Sequence, residues 1–212
     1  MKGMTLSTWE VKACKGEERD CPYCLVSLSD IKTKIDDVLR TSGWETFLKA
    51  RVSGPILPHR RLRVALSACP NACTKPQIRD IGIIARVVPD RVSVQCIACG
   101  ECQEVCDEDA ILCSEDAAAL QKENCAGCGL CVRTCPTDAI ESAGVRFRFL
   151  AGGTMGRHPA WAREVVPDLT ADLVPIAVEG FVEMVMSEMR KGEDIPEMVA
   201  RVQPARSSLA GC

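Results

Sequence analysis

Two stretches of this chain, CIACGECQEVCDEDAI from Cys96 and CAGCGLCVRTCPTDAI from Cys125, superpose with an offset of 29 residues. Each reads C-x2-C-x2-C-x3-C and each ends in Asp-Ala-Ile. Three cysteines packed this tightly aim their thiolates at one metal centre from a single backbone turn, while the fourth comes from further along. The duplication therefore predicts two centres. The chain has 15 cysteines in 212 residues. Its start, MKGMTLSTWEVKACKG, lacks a signal peptide's apolar segment, and no apolar run reaches the length of about 18 residues that spans a bilayer. A cytoplasmic protein with no membrane association is expected, where thiols stay reduced and serve metals rather than disulfides.

Hydrophobic residues make up 47% and charged residues 26%, an ordinary balance for a folded globular chain. The length suits one core plus a small inserted module. A formal net charge of -3 provides no basic field for nucleic acid.

Outside the repeat, SDIKTKIDDVLRTSG places Ile31, Ile35, Val38 and Leu39 on one helical face, opened by Ser29 or Asp30 and closed by Gly43. RLRVALSA and DIGIIARVV read as strands, and VRFRFLAGG is a third. A turn, GGTMGRHP, and two helices, ADLVPIAVEGFVEMVMSEMRKG and IPEMVARV, follow. Between the two runs, Ser114 is placed to cap a short helix with Glu115 and Asp116 in its first turn. The expected fold class is α+β. One sheet-and-helix domain, residues 1–89 and 145–212, is interrupted by an insert over 90–144.

The insert resembles the bacterial two-cluster ferredoxins over roughly residues 91–143. In that family the fourth cysteine of each run ligates the other cluster. The resemblance implies one [4Fe-4S] cluster on Cys96, Cys99, Cys102 and Cys135, and another on Cys125, Cys128, Cys131 and Cys106. The plainer alternative is a pair of zinc sites. One departure is Asp107, where the second run has Pro136; its negative charge would lower a neighbouring cluster's potential. Cys113 lies outside both runs and reads as a small buried hydrophobe without a role.

Before the insert lie Cys14, Cys21, Cys24, Cys69 and Cys73, enough for a third cluster; Cys212 ends the chain. VALSACPNACTKPQIRDIGIIA resembles the iron-sulfur and sirohaem half of the nitrite/sulfite reductase family in its Cys-Pro-Asn-x-Cys pair and its Asp-Ile-Gly-Ile strand. AGGTMGRHP resembles that family's Gly-Gly-x-x-Gly-Arg-x-Pro turn. The resemblance implies that Cys69 and Cys73 join an earlier cysteine pair around a third [4Fe-4S] cluster. It also implies that Cys73 bridges to sirohaem iron, with Asn71 and Arg157 binding cofactor. The earlier pair is one residue longer than the family's C-x5-C: Cys14 and Cys21 are favoured, and Cys24 is an alternative.

The implied function is reduction of sulfite or nitrite, fed by the two ferredoxin clusters from an electron-donor protein. An oxyanion substrate needs cations around it. Candidates are Arg157, Lys75 and Arg61, with Arg51, His59, Arg60, Arg63, Arg79 and His158. Only 13 residues precede Cys14, so a second subunit completing the sirohaem pocket is an expected partner. The alternative is a non-catalytic electron-transfer subunit without sirohaem.

Overall fold

The computed structural model describes residues 7–202. In chain order these form β1 (Trp9–Ala13), α1 (Ser29–Thr41), α2 (Trp44–Arg51), β2 (Leu62–Ser67) and β3 (Ile81–Arg86). There follow β4 (Pro89–Val92), α3 (Glu101–Glu104), β5 (Ile111–Cys113), β6 (Ala118–Leu120), α4 (Leu130–Thr134) and β7 (Ile140–Ser142). The chain then returns as β8 (Arg146–Ala151), β9 (Arg163–Leu169), α5 (Leu173–Glu188) and α6 (Ile195–Val202). Cys212 lies outside the described residues.

The main sheet has the order β1-β2-β3-β8-β9. β1, β2 and β3 run parallel, whereas β8 and β9 join antiparallel. Side chains alternate across a strand, and here the alternation sorts two layers. Leu62, Val64 and Leu66 of β2, with Ile81, Ile83 and Ala85 of β3, pack in one core with α1, α2, α5 and α6. Ile84 and Leu150 face the other way and meet Ala72 and Ala162. The second face is therefore covered by the segment that leaves β2, not by helices.

α1 buries Ile31, Ile35 and Leu39, as its spacing predicts. Its outer face carries Lys34–Asp30 and Lys32–Asp36 pairs at i,i+4. Ser29 is the first helical residue, and no side chain caps this end. Trp44 opens α2 and is 2% exposed, its indole N–H donating to the Thr8 carbonyl at 3.2 Å. That bond ties α2 to the start of β1.

Residues 89–142 form a satellite with its own small core of Cys102, Ile111, Ala118, Cys131 and Ile140. β4 pairs antiparallel with β7 at its base, and β5 with β6 within it. β3 and β8 are neighbours, with Arg86 opposite Arg146, so the satellite is an excursion between two paired strands. Val87 N–H donates to the Gly127 carbonyl at 2.8 Å and Val87 bridges Cys128, which docks the satellite on the end of β3.

One local expectation is overturned. Ser114 opens no helix: it sits in the turn of the β5–β6 hairpin, its Oγ accepting from the Asp116 and Ala117 N–H groups. Burying Ile111 and Ala118 in the satellite core favours two short strands over the helical bias of Glu115, Asp116 and the alanines.

Candidate metal centres

The satellite encloses two cavities. The inner one is lined by Cys106, Cys125, Cys128 and Cys131, the outer by Cys96, Cys99, Cys102 and Cys135. Cys106 of the first run thus joins the second run's triad, and Cys135 joins the first. The repeat explains how. After each fourth cysteine an aspartate takes the left-handed conformation, Asp109 at φ 50° and Asp138 at φ 51°. The next N–H then turns back onto sulfur: Ala110 N–H donates to Cys106 Sγ at 3.3 Å and Ala139 N–H to Cys135 Sγ at 3.2 Å.

Such bonds favour thiolate. Burial pushes the Cys135 thiol up, but the Thr137, Ile140 and Ala139 N–H groups and the Thr137 hydroxyl together hold it below the usual thiol range. The deeper sulfurs go the other way. Burial, with a smaller effect from the neighbouring Cys113 thiol, pushes Cys102 up to about 12. Burial and then the Cys125 and Cys128 sulfurs push Cys131 up to about 11. A cysteine ligates metal as thiolate, so metal binding at these sulfurs must displace the proton that burial favours.

Among the described residues, no three His, Cys, Asp or Glu side chains gather around one metal ion.

The third thiol set lies where β1 and β2 end. Cys14 follows β1, its N–H bonded to the Leu66 carbonyl at 2.9 Å, and Cys69 follows β2. The segment between Cys14 and Leu25 folds back over that end: Cys21 N–H donates to Gly16 O at 2.9 Å and Leu25 N–H to Ala68 O at 3.0 Å. Burial raises the Cys69 thiol, and the Cys73, Cys14 and Cys21 sulfurs add to the rise, so these four lie within electrostatic reach. Cys24, like Cys14, packs at the edge of the main core, and it donates its S–H to the Val26 carbonyl at 3.5 Å; a Cβ on Gly16 would lie 3.2 Å from Cys24 Sγ and 3.5 Å from Cys14 Sγ. Cys24 therefore sits beside Cys14 and keeps its place as the alternative to Cys21.

The Cys69–Asp80 segment is held in an unusual shape. Ala72 and Lys75 have positive φ, 51° and 58°. The buried Thr74 hydroxyl pairs with Ser67 Oγ at 2.6 Å and donates to Leu66 O at 3.1 Å. Asn71, Cys73 and Lys75 are consequently exposed on one side, while Ala72, Thr74 and Pro76 are buried. Further on, the segment lies so close to the sheet that a Cβ on Gly82 would sit 2.4 Å from the Pro76 carbonyl oxygen. A Cβ on Gly153 would meet the Gln77 carbonyl oxygen at 2.5 Å. Gly153 and Gly152 N–H groups bond the Arg79 and Asp80 carbonyls at 2.9 and 3.0 Å. The turn bearing Arg157 is thereby stitched to the same segment.

The cationic candidates divide. Arg157 and His158 are exposed in that turn, and Lys75 shares the exposed side with Cys73. Arg61 precedes β2 at the opposite end from Cys69, with Nη2 donating to the Trp9 carbonyl at 2.5 Å and Nε buried without a partner among the described residues. It is not brought to Cys73. Arg63 is engaged by Asp80: its N–H and Nε bond Oδ2 at 2.8 and 3.0 Å and its Nη2 bonds Oδ1 at 3.0 Å. Arg51 is spent on the Met189 and Arg190 carbonyls. Arg61 and Arg63 of PHRRLR thus anchor the start of β2, and with Arg51, His59 and Arg60 they line one cavity.

Sequence reasoning missed one feature. Pro70 and Asn71, between Cys69 and Cys73, and Tyr23, between Cys21 and Cys24, all line the inner cavity. The third thiol set and the inner set therefore abut. No spacing rule carries this signal, because it depends on β2 and β3 being parallel and ending on the same side.

An α+β domain presenting clustered cysteines at strand ends, with an excursion holding nine more, has the donor set of an iron-sulfur protein. Residues 44–203 match the nitrite and sulphite reductase 4Fe-4S domain, and the chain belongs to that family. Over 51 residues, 24% of this chain and 8% of the relative, it is 43% identical to the coenzyme F420-dependent sulfite reductase of Methanocaldococcus jannaschii. It superposes on dissimilatory sulfite reductase I with a TM-score of 0.61 and 16% identity, covering 92% of this chain and 50% of that one. With NirA of Mycobacterium tuberculosis the TM-score is 0.52 at 16% identity, covering 93% and 26%. At that identity the likeness is one of fold. The chain spans at most half the length of these relatives.

Proposed function

We propose that this chain relays electrons through three adjoining [4Fe-4S] sites to a sirohaem that reduces sulfite or nitrite, alone or as a subunit. The observation that carries the reading is the inner cavity, which Cys106, Cys125, Cys128 and Cys131 share with Pro70 and Asn71. Two redox sites separated by a loop of that size are coupled without further motion. The clusters supply one-electron steps, and the sirohaem supplies the iron that holds the anion.

The residues present fit these groups. In the third set Cys14, Cys21 and buried Cys69 would hold the cluster. Cys73, the exposed sulfur of its pair, is the one able to face a macrocycle outside the sheet. Lys75 beside it would give the anion a positive charge and a proton donor. Met155 and Trp161, 64% and 75% exposed around the Arg157 turn, offer apolar area to a macrocycle or to a second subunit. An electron-donor protein would dock on the satellite, whose residues 90–144 include eleven acidic and three basic side chains.

The second reading, an electron-transfer subunit without sirohaem, is favoured by the placement of Arg61 and Arg63 away from Cys73. The anaerobic visible spectrum of the purified chain, reconstituted with iron, sulfide and sirohaem, separates the two. Sirohaem bands that disappear in Cys73→Ser support the first reading. Broad iron-sulfur absorption alone, equal in both proteins, sinks it in favour of the second.

A further inference from the structure

Cys113 is the thiol to which no role was given, yet it lines the outer cavity beside Cys96, Cys99, Cys102 and Cys135. It is half-buried, and its Sγ lies 3.7 Å from Cys102 Sγ, within sulfur hydrogen-bonding distance. Its position is held from the backbone: Cys113 N–H donates to Gln103 Oε1 at 2.6 Å, fastening β5 to α3, on which Cys102 sits.

The repeat provides an internal control. The offset of 29 residues that carries Cys102 onto Cys131 carries Cys113 onto Ser142. Ser142 does not line the inner cavity, and its Oγ accepts from Gly144 N–H at 3.3 Å. The extra sulfur therefore belongs to one half of a duplicated structure. The surroundings differ in charge as well. Asp107 and Glu108 line the inner cavity, opposed there by Lys122, whereas among the described residues no carboxylate lines the outer one.

We infer that Cys113 is a positioning residue that donates an S–H···S hydrogen bond to iron-bound Cys102, raising the reduction potential of the outer site above that of the inner. Once Cys102 is a ligand it is a thiolate without a proton, so the donor of the pair is fixed as Cys113. A hydrogen bond to a ligating sulfur draws electron density from it and stabilises the reduced state, while nearby carboxylates disfavour added negative charge. Both effects act in one direction. The outer site takes the first electron and holds it more tightly than the inner, so transfer onward to the inner site is an uphill step that proceeds only as the inner site is drained by the final acceptor. This inference rests on the proposal that both satellite sites hold [4Fe-4S] clusters.

The test is an anaerobic redox titration of the full reconstituted protein followed by electron paramagnetic resonance, with iron determined on each sample. In the unaltered chain two satellite signals titrate separately, and the higher-potential one shows an exchangeable proton coupling lost in deuterated buffer. Cys113→Ala should lower the potential of that signal and remove the coupling, leaving iron content and the other signal unchanged. Cys113→Ser, which keeps a donor, should fall between the two. An unchanged potential in Cys113→Ala at full iron content overturns the inference while leaving the relay standing. Loss of iron in Cys113→Ala also overturns it, since Cys113 would then be needed to hold the cluster. Absence of both satellite signals from the unaltered chain removes the relay proposal itself.

Discussion

Asp80 is buried and takes three N–H bonds from one residue, Arg63, whose side chain is 16% exposed. Burial pushes the Asp80 carboxyl up, and Arg63 pulls it back. Removing one partner of a buried pair leaves an uncompensated charge, which costs about 3–5 kcal/mol. Asp80→Ala should lose about that much in chemical denaturation, far more than the exposed Lys34→Ala, which should lose at most a few tenths of a kcal/mol. Gly153 is the second sensitive point, because a methyl there meets backbone atoms that cannot swing aside. Gly153→Ala should cost about 1–3 kcal/mol in the same assay, in the range of an overpacked core. Both residues stand in motifs legible by resemblance, Asp-Ile-Gly-Ile and Gly-Gly-x-x-Gly-Arg. The structure adds the reason: each fixes the return path of the segment that carries Cys73. Cys113 shows the opposite case, since an isolated cysteine in a short strand gives no sign that its sulfur meets a ligand's.

Among the elements, those with strong apolar spacing were legible: α1, β2, β3, β8, α5 and α6. β1, α2 and β9 were not. β1 is a half-buried edge strand of five residues, and α2 is eight residues without a capping side chain. β9 contains Pro167, which reads as a strand breaker and is tolerated because β9 is an edge. The α6 helix is held partly by charge. Hydrogen bonds from Arg201, then the Arg190 N–H, draw Glu193 down from an ordinary 4.5 to about 2. A carboxylate with a depressed folded value stabilises fully above the unfolded value and ceases to do so as pH falls through the folded one. Glu193→Gln should therefore melt below the unaltered chain at pH 6, and the gap should close as pH drops from about 4.5 toward 2. A gap independent of pH would show that packing, not charge, makes the difference.

At the scale of the molecule, three parallel strands ending together bring the Cys14–Cys24 segment, the Cys69–Cys73 loop and the satellite to one side of the sheet. No helix is long and apolar enough to cross a membrane among the described residues. The cysteine runs made two sites legible from spacing; the contact between sites was not, because it comes from strand order. Since Arg86 and Arg146 pair directly, the excursion is replaceable by a short turn between Val88 and Ala143 without unpairing β3 from β8. The shortened chain should fold with near-native circular dichroism in its main domain and keep only the third site. Anaerobic iron analysis of the full and shortened chains, reconstituted side by side, tests the three-site account most directly. About 12 irons in the full chain and about 4 in the shortened one are predicted, at four per cluster. About 8 in the full chain and none in the shortened one would contradict it.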